Sequence, residues 1–160
     1  MKEILKIGFV GTAISPYYAE EQEVRKNSET QLKKLLQNYD VELISFHKTI
    51  FSKEDSIEAE KFLKNKVDFL LIQTSSCSSG EQLYPLCNIS SKIGVWAVPD
   101  IEKEGDVRLH SLVSTSHYLG IIKKTLSDRK IKTKWFYNYA DTDEFKNKFL
   151  ITVKSLIAQK

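Results

Sequence analysis

The sequence predicts an α/β fold, a parallel five-stranded sheet between two layers of helices. Three observations predict it. Apolar, β-rich runs recur along the chain at 6–11, 41–47, 67–74, 93–99 and 132–139. Amphipathic helical patterns alternate with them, and alternation of this kind builds parallel sheets covered on both faces. The three middle runs, VELISFH, VDFLLIQT and IGVWAVP, are nearly continuous in apolar residues, as strands buried on both sides are.

The elements follow in order. KIGFVG is the first strand, and Gly8 and Gly11 allow close helix–strand packing and a turn. Residues 19–38 carry Val24, Ser28, Leu32, Leu35 and Leu36 at helical spacing. VELISFH is the second strand. The helix over 53–65 follows Ser52, with Asp55 three residues later, a capping-box start. VDFLLIQT is the third strand and runs into TSSCSSGEQLYPLC. There Ser78 and Glu81 have capping-box spacing, and Leu83, Leu86 and Cys87 fall on one helical face. Pro85 leaves two alternatives: a kink inside that helix, or a start near Tyr84 with proline in the first position. IGVWAVP is the fourth strand. Residues 112–126 place Leu112, Leu119, Ile122 and Leu126 on one face. KTKWFYNY is the fifth strand. In the last helix Asp141 caps, Glu144 closes the box, and Phe145, Phe149, Val153, Leu156 and Ile157 form the buried stripe. By analogy with flavodoxin-like three-layer sandwiches, the strand order is 2-1-3-4-5.

The 160 residues fit one domain, 1–160. No internal repeat, low-complexity segment or linker divides it. The net charge of +3 is mild, and lysine and arginine are spread without a long run, which argues against a nucleic-acid partner. MKEILKIGFVG is too short and too interrupted by lysine for a signal peptide or a membrane span. Two cysteines, Cys77 and Cys87, are too few for a disulfide framework. Together these point to a cytoplasmic protein without a membrane partner.

In sheets of this kind ligands sit beyond the carboxyl ends of the strands. The residues to weigh are therefore Thr12–Tyr18, His47–Thr49, Thr74–Glu81, Pro99–His110 and Asn138–Asp141. TSSCSSGE has two readings. In one, Glu81 caps a helix. In the other, free N–H groups and hydroxyls form a polar pocket for an anion or a polyhydroxy ligand. Cys77 as a nucleophile needs a base beside it, and His47, His110 and His117 qualify by number alone. The loop after the first strand, GTAISPYYAEEQ, matches neither dinucleotide nor P-loop glycine patterns. A phosphoacceptor domain needs acidic residues where Thr12 and Thr74–Ser75 stand. No carboxylate lies three or four residues beyond His110 or His117, so a metal bound within this chain has no support. Tyr17 and Tyr18 sit in the first crossover loop, where a sugar ring could stack, whereas Trp96 and Trp135 read as core.

Residues 67–126 resemble the N-terminal part of the L-fucose and L-arabinose isomerase superfamily. Ile93-Gly94-Val95-Trp96-Ala97-Val98-Pro99-Asp100 is similar to that family's "Pro-(Val/Ile)-x-Leu-Trp-x-x-Pro-Glu" strand. Leu109-His110-Ser111-Leu112 resembles its "Leu-Asn-Ser-Leu" helix start, with histidine in place of asparagine, and His117 stands near its second asparagine. KWFYNYAD, 134–141, looks like the family's next strand. The resemblance implies aldose–ketose isomerisation with Mn2+, trimers or hexamers, and several domains, with metal and catalytic residues in the later ones. No catalytic or metal residue is carried over to this chain. What it implies here is a first domain that contacts sugar and assembles with the remaining isomerase domains or identical subunits, and does not catalyse alone. The expected ligand-binding residues are Thr12, Tyr17, Tyr18, Thr74, Ser75, Ser76, Glu81, His110 and Ser111. The alternative is a free-standing flavodoxin-like module for a small polar ligand or a protein partner.

Overall fold

The computed structural model describes residues 3–14, 20–100 and 110–160, with backbone alone for 20–22. The elements run β1 (Leu5–Thr12), α1 (Glu20–Leu36), β2 (Val41–Ser45), α2 (Lys53–Leu63), β3 (Phe69–Thr74), α3 (Gly80–Leu86), β4 (Lys92–Ala97), α4 (Ser111–Lys124), a short 3-10 turn (Ser127–Arg129), β5 (Lys132–Tyr137) and α5 (Asp143–Ala158). The sheet is parallel throughout, in the order β2-β1-β3-β4-β5. This is the flavodoxin-like three-layer arrangement.

Side-chain alternation along the strands sends successive residues to opposite faces. Leu5, Ile7, Phe9, Phe69, Leu71, Trp96 and Phe136 pack against α1 and α5. Val10, Leu70, Ile72, Ile93 and Val95 pack against α2, α3 and α4. Under α5 the core is aromatic. Phe145 lies 4.6 Å from Trp96 and 5.1 Å from Phe149, ring centroid to centroid, and Phe149 meets Phe136 edge-on. Such pairs add about 0.5–1.5 kcal/mol each beyond the area they bury.

The caps divide into those the sequence places correctly and those it places one residue early. Ser52 and Asp55 form the expected box: the Ser52 Oγ accepts from the Asp55 N–H, and the Asp55 carboxylate accepts from the N–H of Ser52 and of Phe51. The start of α3 departs from expectation. The N-cap is Ser79, whose N–H donates to the Gln82 side chain (2.9 Å), while Glu81 is exposed. The helix starts at Gly80 and not near Tyr84, so Pro85 lies inside it, close to its end. At α5 the cap is Thr142 and not Asp141, and Thr142 accepts from the Phe145 N–H. Glu144 closes no box and instead accepts from the Asn138 amide (3.1 Å). On α4 Leu119 and Ile122, and just beyond it Leu126, pack inward as expected, and of the four only Leu112 departs from the expected face. Leu112 is 47% exposed, and the helix turns Ser111, Ser114, Thr115, Tyr118 and Ile122 inward.

Gly94 carries a packing requirement. A Cβ there would stand 2.6 Å from Phe69 Cζ and 2.9 Å from Phe136 Cε2. Glycine inside a strand ordinarily costs about 0.5–1 kcal/mol, so alanine starts with that advantage. Two buried rings cannot yield to it, and overpacking of this kind costs about 1–3 kcal/mol. Gly94→Ala should therefore lower the urea midpoint with an unchanged slope; an unchanged or raised midpoint would contradict the packing account.

Candidate functional site

The carboxyl edge of the sheet carries buried polar side chains bonded to one another. It begins where β3 and β4 diverge. Ser111, in the first turn of α4, donates its hydroxyl to the Thr74 carbonyl and accepts from the Val98 N–H (2.9 Å). The Thr74 hydroxyl lies 2.8 Å from the Ser111 carbonyl, 2.7 Å from the Thr115 hydroxyl and 3.3 Å from the Trp96 carbonyl. One turn further along α4, the Ser114 hydroxyl accepts from the Ser78 N–H (2.8 Å). The Ser78 hydroxyl reaches that of Thr12 (2.9 Å), which ties the end of β1 to the β3–α3 loop. Gln82 finishes this side. Its amide donates to the carbonyls of Ala13 (2.7 Å) and Ile50 (3.2 Å), and its carbonyl accepts from the Tyr118 hydroxyl (3.3 Å).

The α1 side is smaller. Gln73 donates to the Ser28 hydroxyl (2.6 Å) and accepts from that of Ser75 (2.9 Å). Gly11 lets these parts meet, because a Cβ there would fall 2.9 Å from Ser75 Oγ and 2.8 Å from Arg25 Cγ. Arg25 is buried, bonds the carbonyls of Phe46 and His47, and pairs with Glu29 (3.0 Å).

The expected ligand residues thus fall into three groups. Thr12, Thr74, Ser75, Ser76 and Ser111 are fully buried, and each hydroxyl is bonded within the protein. Glu81 and His110 are exposed. His110 caps α4 in the left-handed region (φ 56°), and its N–H donates to Asp100 Oδ1 (2.9 Å). Tyr17 and Tyr18 lie outside the described residues. Cys77 is half-buried, and no histidine hydrogen-bonds it among the described residues. Nor does any group of three or more His, Cys, Asp or Glu converge as a metal site requires among those residues. The divalent cation implied by the resemblance therefore finds no ligand set in them. No helix among them is long and apolar enough to cross a membrane.

Beside this network a crevice of about 350 Å3 opens between α1 and the β5–α5 loop, lined by Val24, Asn27, Ser28, Thr30, Gln31 and Tyr139. The lining is neutral: two amides, two hydroxyls, a phenol and one aliphatic side chain. Two bonds fix its walls. Gln73 holds Ser28 from the sheet, and Gln31 accepts from the Ala140 N–H (3.2 Å). The half-buried Tyr139 phenol is shifted upward by burial and by Tyr137, Asp100 and Asp141 nearby, so it stays a neutral donor. Asn27 and Gln31 were not expected from the sequence, and Tyr139 lies in the Asn138–Asp141 stretch weighed there but not among the expected ligand residues. Their signal there is weak, because they stand on a helix face and just past a strand without a motif.

No protein-family model matches the chain, and no curated protein matches it.

Two stability predictions follow from the buried side chains. Thr74→Val keeps the shape but removes a hydroxyl that serves β3, β4 and α4 together. It should cost about 1–3 kcal/mol in urea denaturation, and a loss within error would show that the hydroxyl is dispensable. Burial also raises the Cys87 thiol from 9.0 to about 12, opposed by Arg129. The folded protein holds the neutral thiol, whereas the unfolded chain ionises earlier. The stabilisation is complete below pH 9.0 and is lost as pH rises toward about 12. Tyr118, raised by burial, adds the same trend above its ordinary value of 10.0. Under reducing conditions Cys87→Ala should flatten the fall in urea midpoint just above pH 9.0, and an identical fall would refute this assignment.

Proposed function

We propose that this chain is a recognition and assembly domain for a sugar or other small polyol, of the kind found at the N-terminus of L-fucose/L-arabinose-type isomerases, and that it does not catalyse alone. The neutral crevice carries this reading. Polyols are bound by paired donors and acceptors with a ring or aliphatic surface beneath the C–H face, and a small set of placed polar groups on an apolar wall is what such pockets use. Asn27 supplies a donor and an acceptor, Gln31 supplies the N–H groups of an amide whose carbonyl accepts from Ala140, Tyr139 supplies a ring and a hydroxyl oxygen, and Val24 supplies the apolar surface. Among the described residues no carboxylate lines the crevice itself, which suits it to orienting a sugar. The metal and the proton-moving groups would come from further domains or from identical subunits. The buried hydroxyls of Thr12, Thr74 and Ser111 serve in this reading as the frame that holds the edge in place.

The test is a titration with L-fucose and L-arabinose, followed at the backbone amides of residues 24–31 and 139–140. Shifts concentrated there, with about tenfold weaker binding in Asn27→Ala and in Tyr139→Ala, are expected. Shifts elsewhere, or undiminished binding in both variants, would sink the assignment of the crevice. Ketol isomerisation assayed with Mn2+ tests the other half: sustained turnover by this chain alone would refute the claim that it does not catalyse by itself.

A further inference from the structure

A second cleft lies at the opposite end of the sheet, between the first residues of β4 and β5 and the last turns of α5. Its volume is about 240 Å3. Its apolar lining comes from the buried Phe69 and Leu156 and the exposed Ile151, and Lys92, Lys132 and Lys134 line it as well. The three lysines share a face for a simple reason. Trp96 and Phe136 point toward α5, and residues two and four positions before them do the same. Lys92 and Lys132 are direct register partners, and Lys134 stands two residues further along.

That arrangement is unfavourable as it stands. Like charges directly opposite on neighbouring strands repel. Among the described residues no carboxylate pairs with any of the three, and Lys92 has only the neutral side chain of Gln159 (2.9 Å). The nearby carboxylates of Asp68 and Glu3 are taken by Lys160. Two ordinary reasons for lysine here fall short. Lysine on an outer strand blocks edge-to-edge pairing, which accounts for β5. Lys92, however, is on β4, which has β3 and β5 on either side. The carboxyl end of α5 favours a cation at its last turn, but Lys134 lies beyond that turn, along the strand. A repulsive cluster retained beside an apolar lining marks a site whose counter-charge arrives with a ligand.

We propose that this cleft binds an organic phosphate monoester. Its phosphoryl group sits among Lys92, Lys132 and Lys134, with the Thr152 and Ser155 hydroxyls beside it, and its apolar body rests on Phe69, Ile151 and Leu156. A phosphoryl group carries between one and two negative charges at neutral pH, against one for a carboxylate, and so meets three ammonium groups better. The space suits a small body, since a cavity of about 150 Å3 accommodates benzene. This site is independent of the polyol crevice, and either stands without the other.

Phenyl phosphate is the probe, with inorganic phosphate and benzoate as comparisons, followed at the amide resonances of Thr152 and Ser155 in the full chain. Phenyl phosphate should shift both resonances and bind more tightly than either comparison. Added salt should weaken it, and the double variant K132Q/K134Q should lose at least about tenfold in affinity. Both lysines are exposed, so the variant should fold with an unfolding midpoint equal to or above that of the parent. Absence of shifts at millimolar phenyl phosphate, undiminished binding by the double variant, or equal binding of inorganic phosphate or benzoate would each overturn the proposal.

Discussion

The architecture of the carboxyl edge depends on one hydroxyl placed where β3 and β4 part. Strands that pair in parallel must release one another at their ends, and each release strands an N–H or a carbonyl in a dry interior. Such a group costs about 1–3 kcal/mol if left alone. Ser111 resolves this at a single atom, donating to the Thr74 carbonyl and accepting from the Val98 N–H. It thereby fixes where α4 begins, and the next turns follow from that origin. Ser114 then reaches the Ser78 N–H and Tyr118 reaches Gln82, so the start of α3 is set from across the sheet. The chain of bonds ends at Thr12 and Ala13, at the exit of β1. Strands far apart in sequence are locked by hydroxyls and amides that carry no charge.

The two ends of the sheet differ in their polar chemistry. At the carboxyl edge the buried hydroxyls and amides joining β1, β3, α3 and α4 are neutral and bonded to one another, and the buried Arg25 is paired with Glu29, which is what a low-dielectric interior tolerates. A ligand there meets a rigid, uncharged wall. In the cleft at the amino ends of β4 and β5 the polar groups include three lysines that, among the described residues, have no carboxylate partner. Charge attracts over a distance and is screened by salt, whereas a neutral hydrogen-bonding wall acts only on contact. The first suits capture of an anion; the second suits discrimination among hydroxyl arrangements.

The fold was largely legible in the sequence because burial on both faces leaves a strong trace. The parallel sheet between helices and the stripe of α5 follow from runs of apolar residues and their periods, whereas the strand order came from analogy with flavodoxin-like folds. The errors share one cause. SSCSSGEQ contains two overlapping capping-box spacings, Ser78 with Glu81 and Ser79 with Gln82, and local pattern does not choose between them. The tertiary structure chooses by chemistry. The carbonyl of Ala13 takes a donor, which an amide provides and an ionised carboxylate does not. The inward face of α4 was read only in part for a related reason. A count of apolar residues gives no weight to Ser111, Ser114 and Thr115, although the buried strand ends require those hydroxyls.

The amide of Gln73 explains why the crevice is open at all. Ser28 stands on the buried face of α1, where a serine left without a partner would favour an apolar replacement and a tighter seam between helix and sheet. Gln73 engages it instead (2.6 Å) and holds α1 at a hydrogen-bonding distance from β3. Three residues along the helix, Gln31 reaches the Ala140 N–H and holds the β5–α5 loop in the same way. Between these two props lie Asn27 and Tyr139, neither of which is needed to seat the helix. Among the described residues the Asn27 amide carries none of the structural bonds, whereas the Tyr139 hydroxyl already donates to the Pro99 carbonyl (3.4 Å). A site whose walls are held by one set of amides and read by another can change its specificity without losing its shape. In the proposed polyol reading, Asn27 is the position where that change would be made.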